Sequence, residues 1–312
     1  MQEALNKIII IAGPTASGKS QLALKIAQKL KKAEIINADS MQLYQNLPIL
    51  SAQPSITEQE LCKHNFYGFL ASHEKFSVAA WLNLVLPKIK QLLSNNITPI
   101  IVGGTGMYIY NLTNGLRALA DIPAAITNST NNIYNKKGLD YLYAELIKID
   151  LNFSNLIAKN DTQRIIRYYN IFKAHNLTPT EYQALPNNKF FSDDLFLNLT
   201  LITHKEELEL NIKKRLNFMF ENGAINEVKQ LTKQIADKNQ PITRTIGFKQ
   251  LRDYLANNIS YEEALNSSYL ETKKYAKRQI TWFKNKINEN IANITSTDML
   301  ELYNIFLSEY AK

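Results

Sequence analysis

Short apolar runs alternate with amphipathic stretches along the first third of the chain. Three of these runs predict buried strands, at Lys7–Ala12, Glu34–Ala38 and Pro99–Val102. In the stretches between them, apolar residues recur every three or four positions, as expected of helices that bury one face. The apolar positions are Leu22, Ile26 and Leu30 in the first helix and Val78, Trp81, Leu82 and Val85 in the second, which Ser77 can cap. Alternating strands and helices predict an α/β fold with a parallel sheet covered on both faces.

The pattern changes in the middle of the chain and then returns. Residues 114–137 are rich in Asn, Thr and Ala with no clear period, whereas residues 139–174 show a helical period. The alternating run Leu195–Leu201 predicts a further core strand. Helices are then predicted at His204–Phe220, Ile225–Ile235, Tyr261–Lys284 and Thr297–Glu309. We therefore predict an α/β core made of residues 1–115 and 195–312, interrupted by a helical insertion at residues 116–194.

A glycine-rich segment directly follows the first predicted strand and matches the pattern G-x-x-x-x-G-K-[ST]. In such a phosphate loop, several backbone N–H groups converge on one anion, the Lys adds positive charge, and the final hydroxyl can hold Mg²⁺. The N-terminus of the following helix favours the same anion. The segment predicts a bound di- or triphosphate, with a plain turn as the alternative. Its residues are Gly13, Pro14, Thr15, Ala16, Ser17, Gly18, Lys19 and Ser20.

Asp39 ends the second predicted strand, which places a carboxylate on the sheet edge that the phosphate loop occupies. It can accept ribose hydroxyls, although that role expects a G-x-G-x-x-G loop. It can bind Mg²⁺, although Asn37 and Ala38 interrupt the apolar strand expected of that motif. It can also act as a general base beside a leaving group. Capping of the following turn is the purely structural alternative.

A second glycine turn, Gly103-Gly104-Thr105-Gly106, ends the third predicted strand. The carboxyl ends of parallel strands are where open α/β sheets bind ligands. The Thr105 hydroxyl is therefore a candidate ligand contact, and a simple turn is the alternative.

Composition adds a preference for an anionic partner. The chain has 36 Lys and Arg against 28 Asp and Glu, a formal charge of +8 and a pI of about 9.2. The single cysteine, Cys62, excludes an intrachain disulfide, and four histidines make a metal cage unexpected. No apolar run reaches the roughly 20 residues of a membrane span, and Met1-Gln2-Glu3 lacks the basic start of a signal peptide. We expect a cytoplasmic protein that does not enter the membrane.

Two segments concentrate positive charge. Arg164 and Arg167 lie one helical turn apart in Asp161–Arg167, which suits phosphate contacts, while an exposed face with an Asp161–Arg164 ion pair is the alternative. Between Arg244 and Lys286, nine basic and four acidic residues give a net charge of +5. On the helix predicted within this segment, an anionic partner would relieve the repulsion between like charges. A solvent-exposed helix face without a partner is the alternative.

Taken in order along the chain, six segments resemble the tRNA dimethylallyltransferases. The phosphate loop is common to many nucleotide-binding proteins, but the D-S-M-Q and G-G-T-G segments in this order are specific, and the resemblance spans most of the chain. The segments are Gly13–Ser20, Asn37–Tyr44, Val102–Tyr108, Asn160–Arg167, Thr245–Gln250 and Lys277–Trp282.

The resemblance implies a P-loop NTPase-like fold and a reaction. A dimethylallyl group would pass from dimethylallyl diphosphate, with Mg²⁺, to N6 of adenosine 37, next to the anticodon, in tRNAs that read codons beginning with U. Asp39 would be the general base and Thr105 a second residue at the reaction site. Gly13 to Ser20 and Arg244 would bind the diphosphate, with Ser20 as the Mg²⁺ ligand. Contacts to the anticodon stem-loop would come from Asp39, Ser40, Met41, Gln42, Thr105, Gln163, Arg164, Ile165, Ile166 and Arg167.

The chain departs from the family pattern at four places. Gln45 stands where an Arg is usual, and Ser51-Ala52-Gln53-Pro54 stands where G-T-A-K-P is usual. Residues 122–127 lack the usual Asp and Arg, and Tyr168-Tyr169-Asn170 replaces A-L-E after Arg167. These differences concern the tRNA contacts more than the prenyl chemistry.

Three rival functions share parts of this pattern. An adenylate dimethylallyltransferase acting on AMP, ADP or ATP would have a similar core but needs neither the insertion nor the basic segment. A small-molecule kinase would share the phosphate loop alone. An RNA-binding protein without catalysis would keep the basic surface. We expect the tRNA-modifying enzyme, acting as a monomer.

Overall fold

The computed structural model describes residues 6–235, 239–286, 292–294, 304 and 308, which form two compact units. The first unit contains Met1–Thr113 and Phe190–Lys312, and the second contains Asn114–Lys189. The inserted unit begins and ends slightly before the predicted limits of residues 116 and 194.

Strands in the described part of the chain form a parallel sheet and one short antiparallel pair. In chain order they are β1 (Ile8–Ala12), β2 (Ala33–Asn37), β3 (His64–Asn65), β4 (Thr98–Gly103), β5 (Leu116–Arg117), β6 (Asn187–Asn188), β7 (Phe196–Leu201) and β8 (Ala292–Ile294). The parallel sheet belongs to the first unit and has the order β3-β2-β4-β1-β7-β8. The pair β5-β6 belongs to the second unit. This sheet and its covering helices confirm the predicted P-loop NTPase-like α/β class.

Helices account for most of the remaining described residues. They are α1 (Lys19–Leu30), α2 (Ile56–Leu61), α3 (Val78–Ser94), α4 (Gly106–Asn114), α5 (Ala124–Ile149), α6 (Phe153–Leu156), α7 (Thr162–His175), α8 (Pro179–Ala184), α9 (Lys205–Glu221), α10 (Ala224–Gln234), α11 (Phe248–Leu255) and α12 (Tyr261–Lys286). Short 3₁₀ turns occur at Asp193–Leu195 and Pro241–Arg244. None of the helices among these residues combines the length and apolarity needed to cross a membrane.

The core of the first unit follows the predicted apolar pattern. Ile9 and Ile11 of β1 have no exposed surface, and they pack with Leu22 and Ile26 of α1. The Ser77 hydroxyl accepts a hydrogen bond from the Ala80 N–H at 3.1 Å, which confirms the predicted start of α3. Burial therefore fixes β1 and α1, and with them the phosphate loop between the two.

The second unit departs from its predicted structure at two places. The helical pattern of residues 139–174 is interrupted, because α5 ends at Ile149 and α7 begins at Thr162, with the short α6 between them. Residues 124–137 are helical, although their sequence shows no clear period, and α5 is interrupted only at Gly138, where φ is +78°. Most of these side chains are exposed, and the segment therefore lacks the regularly spaced apolar positions that predict a helix. The core of this unit lies instead between the later part of α5 and α7. The helix predicted at Thr297–Glu309 lies outside the described residues, apart from 304 and 308.

Candidate active site

The phosphate loop connects β1 to α1 in the geometry that anion binding requires. Gly13 lies so close to β7 that a Cβ atom there would stand 2.7 Å from the Leu201 carbonyl oxygen. Ala16 has a φ of +64° and Gly18 a φ of +85°, so the backbone curls back on itself before the helix begins. The Ser17 hydroxyl is buried and has no hydrogen-bond partner among the described residues. The Ser17 hydroxyl is therefore available to a ligand bound in the loop.

Lys19 is buried inside this loop, with 9% of its surface exposed. Its Nζ donates a hydrogen bond to the Pro14 carbonyl at 2.9 Å. Burial lowers the pKa of Lys19 to about 8; nearby Asp39 opposes this shift and nearby Arg215 adds to it. Because burial disfavours the ammonium, an anion bound in the loop would stabilise the charged form.

Arg215, on α9, lies beside the phosphate loop and was not among the site residues predicted from the sequence. Its guanidinium donates to the Thr15 hydroxyl at 3.4 Å, and burial lowers the pKa of Arg215 while nearby Asp39 raises it. One turn earlier, Asn211 donates to the Ala16 carbonyl at 3.5 Å. These polar residues flank the buried positions Leu208, Ile212, Leu216 and Met219. A long polar side chain beside an apolar stripe is typical of amphipathic helices in general, so the sequence carried no specific signal for Arg215.

The Asp39 carboxylate is held in a tight turn that follows β2. Asn37 has no exposed surface: its Oδ1 accepts the Asp39 N–H at 2.7 Å, and its Nδ2 donates to the Asp39 carbonyl at 3.1 Å. The Asp39 Oδ1 accepts the Met41 N–H at 3.0 Å. The predicted turn-capping role is therefore real, and it fixes the carboxylate. Asn37, which interrupts the apolar pattern of the strand, shapes this turn.

Thr105 connects the two predicted loops. Its hydroxyl oxygen accepts the Ser40 N–H at 2.9 Å, and its own N–H donates to the Ala38 carbonyl at 3.1 Å. The Thr105 hydroxyl also donates to the Ser40 hydroxyl at 3.3 Å. The structure thus brings Thr105 to the turn that carries Asp39, where it holds the backbone in place.

Gln42 holds a neighbouring loop, residues 47–54. Its amide donates to the carbonyls of Ser51 at 3.0 Å and Ala52 at 2.6 Å. On the other side of this loop, the Glu227 carboxylate accepts the N–H groups of Ile49 at 2.7 Å and Leu50 at 2.9 Å. Burial raises the pKa of Glu227 and these two hydrogen bonds oppose the rise. The middle of the loop is therefore held by hydrogen bonds from two sides.

Two cavities of the first unit meet at Asp39. The larger, about 1050 Å³, is lined by phosphate-loop residues including Lys19 and Ser20, together with Gln42. The smaller, about 430 Å³, is lined by Ser40, Met41, Arg244 and Arg278. Seven residues line both cavities: Thr15, Ala16, Asp39, Ser51, Ala52, Arg215 and Met219. The carboxylate therefore faces the phosphate loop on one side and a basic opening on the other.

The basic C-terminal helix provides part of that opening. Lys273 pairs with Glu209 at 2.8 Å and Lys274 with Glu271 at 3.2 Å, so these two lysines already have carboxylate partners. Lys277 and Arg278 are exposed. The predicted like-charge repulsion on α12 is therefore partly relieved within the protein, and the exposed charges remain for an external anion.

The basic segment of the insertion lies in the second unit. Asp161 caps α7 and its carboxylate pairs with Arg164 at 3.3 Å, as the structural alternative predicted. Gln163, Arg164 and Arg167 are exposed. Ile165 has no exposed surface, and Ile166 packs against the same core. The Ile165 side chain therefore packs in the core of the second unit, and the tRNA contact expected at this position stays a prediction.

The oxygen atoms beside the phosphate loop suit a magnesium ion that is shared with a ligand. Ser20 is exposed and lines the same cavity as Lys19 and Asp39. Among the residues that the structure describes, no group of three or more His, Cys, Asp and Glu side chains is placed to hold a metal. Mg²⁺ prefers hard oxygen ligands and keeps several waters, so a hydroxyl with phosphate oxygens is a fitting set.

Comparisons with known proteins find one family along most of the chain. The model of the family described as IPP transferase matches residues 42–286, and a model described as isopentenyl transferase matches residues 6–67. A tRNA dimethylallyltransferase of Pelagibacter ubique is 42% identical over 90% of this chain and 90% of its own length. One from Rickettsia massiliae is 38% identical over 91% of this chain and 78% of its own length.

Solved structures give the same result. A eukaryotic dimethylallyltransferase, in a study of its action on tRNA, superposes with a TM-score of 0.82 and 27% identity, covering 98% of this chain and 77% of that one. The tRNA isopentenylpyrophosphate transferase of Bacillus halodurans gives a TM-score of 0.68 and 29% identity, covering 98% of this chain and 97% of that one. A family model matches most of the sequence, and the chain covers most of the length of the relatives named above. The chain therefore belongs to the IPP transferase family.

Proposed function

We propose that the protein transfers a dimethylallyl group from dimethylallyl diphosphate to N6 of adenosine 37 in tRNAs that read codons beginning with U. The products are N6-dimethylallyladenosine and diphosphate. The observation that carries the proposal is the position of Asp39, which lines both the cavity of the phosphate loop and the adjoining basic cavity. The relatives named above support tRNA as the acceptor.

The donor diphosphate is held by the phosphate loop. In this proposal Lys19 and Arg215, which both lie at the phosphate loop, would stabilise the negative charge that grows as the allylic C–O bond breaks. Preorganised donors aimed at developing charge are among the largest contributions to catalysis. Arg244, which lines the adjoining cavity, supplies a further positive charge. Mg²⁺, held by Ser20 and the diphosphate oxygens, would add neutralising charge to the leaving group.

The acceptor approaches Asp39 from the basic cavity. The adenine N6 attacks the allylic carbon, the C–O bond to diphosphate breaks, and one N6 proton passes to the Asp39 carboxylate. A carboxylate fixed by the Asn37 turn is suited to this step because its geometry is set before substrate binds. The base must leave its stack to enter such a cavity, which favours an unpaired loop nucleotide.

An adenylate dimethylallyltransferase is the nearest alternative. The isopentenyl transferase model matches only residues 6–67, whereas the IPP transferase model includes the whole insertion. A mononucleotide acceptor would have no use for the exposed Gln163, Arg164 and Arg167 or for the exposed Lys277 and Arg278 on α12. The tRNA acceptor accounts for these surfaces.

An acceptor comparison tests the proposal. Purified protein is given radiolabelled dimethylallyl diphosphate and Mg²⁺ with unmodified tRNA, AMP, ADP or ATP. We expect label in tRNA alone. Label in a mononucleotide would support the adenylate enzyme, and transfer of the γ-phosphate of ATP to a small molecule would support a kinase. As part of the proposal, the protein acts in the cytoplasm as a monomer that contacts the anticodon stem-loop.

A further inference from the structure

Gln279, on α12, lies between the two glycine loops of the first unit. Its Oε1 accepts the Thr15 N–H at 2.9 Å, and its Nε2 donates to the Gly104 carbonyl at 2.9 Å. The residue is 6% exposed. Both ends of one side-chain amide thus bridge segments that lie far apart in the sequence.

The second glycine turn is shaped to receive this face of α12. A Cβ atom at Gly104 would stand 2.3 Å from the Gln279 Nε2, and one at Gly106 would stand 2.3 Å from the Trp282 ring. Neither position accepts a side chain while α12 keeps its place. These glycines therefore permit a close helix approach rather than a contact with a ligand.

Thr15 is held from two directions as a result. Gln279 fixes its backbone N–H, and Arg215 donates to its hydroxyl at 3.4 Å. Thr15 lines both cavities beside Asp39. The turn that Gln279 holds on its other side also carries Thr105, which in turn holds the backbone of Ser40. One amide is therefore connected to the phosphate loop and to the turn of the candidate base.

We infer that Gln279 is a positioning residue for the diphosphate half of the site. Its neighbours Lys277 and Arg278 are exposed, whereas its own amide faces inward with an oxygen and a nitrogen already bonded. Gln279 therefore affects the binding of the prenyl donor's diphosphate, although it lies on the basic helix α12. The inference deepens the proposed function and rests on it for its effect on turnover.

Binding of inorganic diphosphate with Mg²⁺ tests the inference without any prenyl transfer. Gln279→Met keeps the side-chain length but removes both hydrogen bonds, and we expect its Kd for diphosphate, measured by calorimetry, to rise about tenfold. Gln279→Glu keeps the acceptor for Thr15 but adds negative charge, so we expect a larger rise. Should Gln279→Met fail to fold, Gln279→Asn keeps the amide and shortens its reach.

Phe283→Leu is the matched control. Phe283 is 2% exposed on the same helix, so the substitution loosens α12 without touching the two hydrogen bonds. We expect a lower melting temperature with a diphosphate Kd within about twofold of wild type. In turnover assays, Gln279→Met should raise KM for the prenyl donor and leave KM for tRNA within about twofold.

Different results bear on different claims. Equal diphosphate affinity in wild type and Gln279→Met, or an equal loss in Phe283→Leu, overturns the positioning role and leaves the proposed function standing. A wild-type protein that does not bind diphosphate at all overturns both.

Discussion

Asp39 combines a structural and a chemical role in one side chain. Its Oδ1 accepts the Met41 N–H, while the residue lines both cavities. Asp39→Asn keeps an oxygen for the Met41 hydrogen bond but removes the base. We expect turnover to fall by about 10²- to 10⁴-fold, the usual contribution of a general base, with tRNA affinity within about twofold. Single-turnover assays and filter binding check these two quantities.

Asp39→Ala serves as the comparison, since it also removes the turn hydrogen bond. Retention of turnover within tenfold in Asp39→Asn would show that the carboxylate is not the base. Loss of turnover and tRNA affinity in Asp39→Ala alone, with Asp39→Asn close to wild type, would show that Asp39 mainly shapes the turn.

Arg215 brings a partly buried positive charge to the phosphate loop. Arg215→Met should raise the Kd for inorganic diphosphate by about 10- to 100-fold, because a charge-assisted contact in a partly buried site is lost. Lys213→Met is the matched control, since Lys213 is exposed on the same helix and the loss of charge is equal. An equal effect of the two substitutions, measured by calorimetry, would contradict a specific role for Arg215.

At the scale of elements, a partly buried ion pair helps to place β2, the strand that leads to Asp39. Lys88 on α3 pairs with Glu34 at 2.8 Å. Burial acts to raise the pKa of Glu34, but hydrogen bonds from Lys88 and Asn65 and the charge of Lys63 lower it overall. Folding therefore favours the carboxylate, and this contribution is present at neutral pH and lost as pH falls below the ordinary carboxyl range.

Lys88→Met should accordingly lower the free energy of unfolding at pH 7. The difference from wild type should shrink as pH falls below about 4, where Glu34 becomes protonated in both proteins. Denaturant unfolding at several pH values measures it, with Lys90→Met, exposed on the same helix, as the control. A difference that stays constant with pH would exclude the ion pair as its source.

Helices and strands could be predicted where buried positions recur regularly along the sequence. Site residues could be predicted only where they belong to a motif of nearby residues. The buried run of β1 and the one-sided pattern of α1 fixed the phosphate loop, and Asp39 and Thr105 stood at the ends of predicted strands. Arg215 and Gln279 contact Thr15 from 200 and 264 residues away, so no local pattern reports them. The helix over residues 124–137 was missed because its mostly exposed polar residues carry no period.

At the scale of the whole molecule, the positive charge of +8 favours association with a nucleic acid. The tRNA Kd should rise steeply with salt, and Lys277→Gln should reduce the slope of log K against log salt by about 0.7 to 1. Lys29→Gln, exposed at the far end of α1, removes the same charge away from the two cavities and should leave the slope unchanged. Equal slopes for wild type and both variants would show that Lys277 of α12 does not belong to the tRNA-binding surface.

The most direct test of the account is mass spectrometry of nucleosides from unmodified tRNA incubated with the protein, dimethylallyl diphosphate and Mg²⁺. The account predicts N6-dimethylallyladenosine at position 37 with wild-type protein and almost none with Asp39→Asn. Unmodified adenosine after incubation with wild type, or equal product from the Asp39→Asn protein, would contradict it.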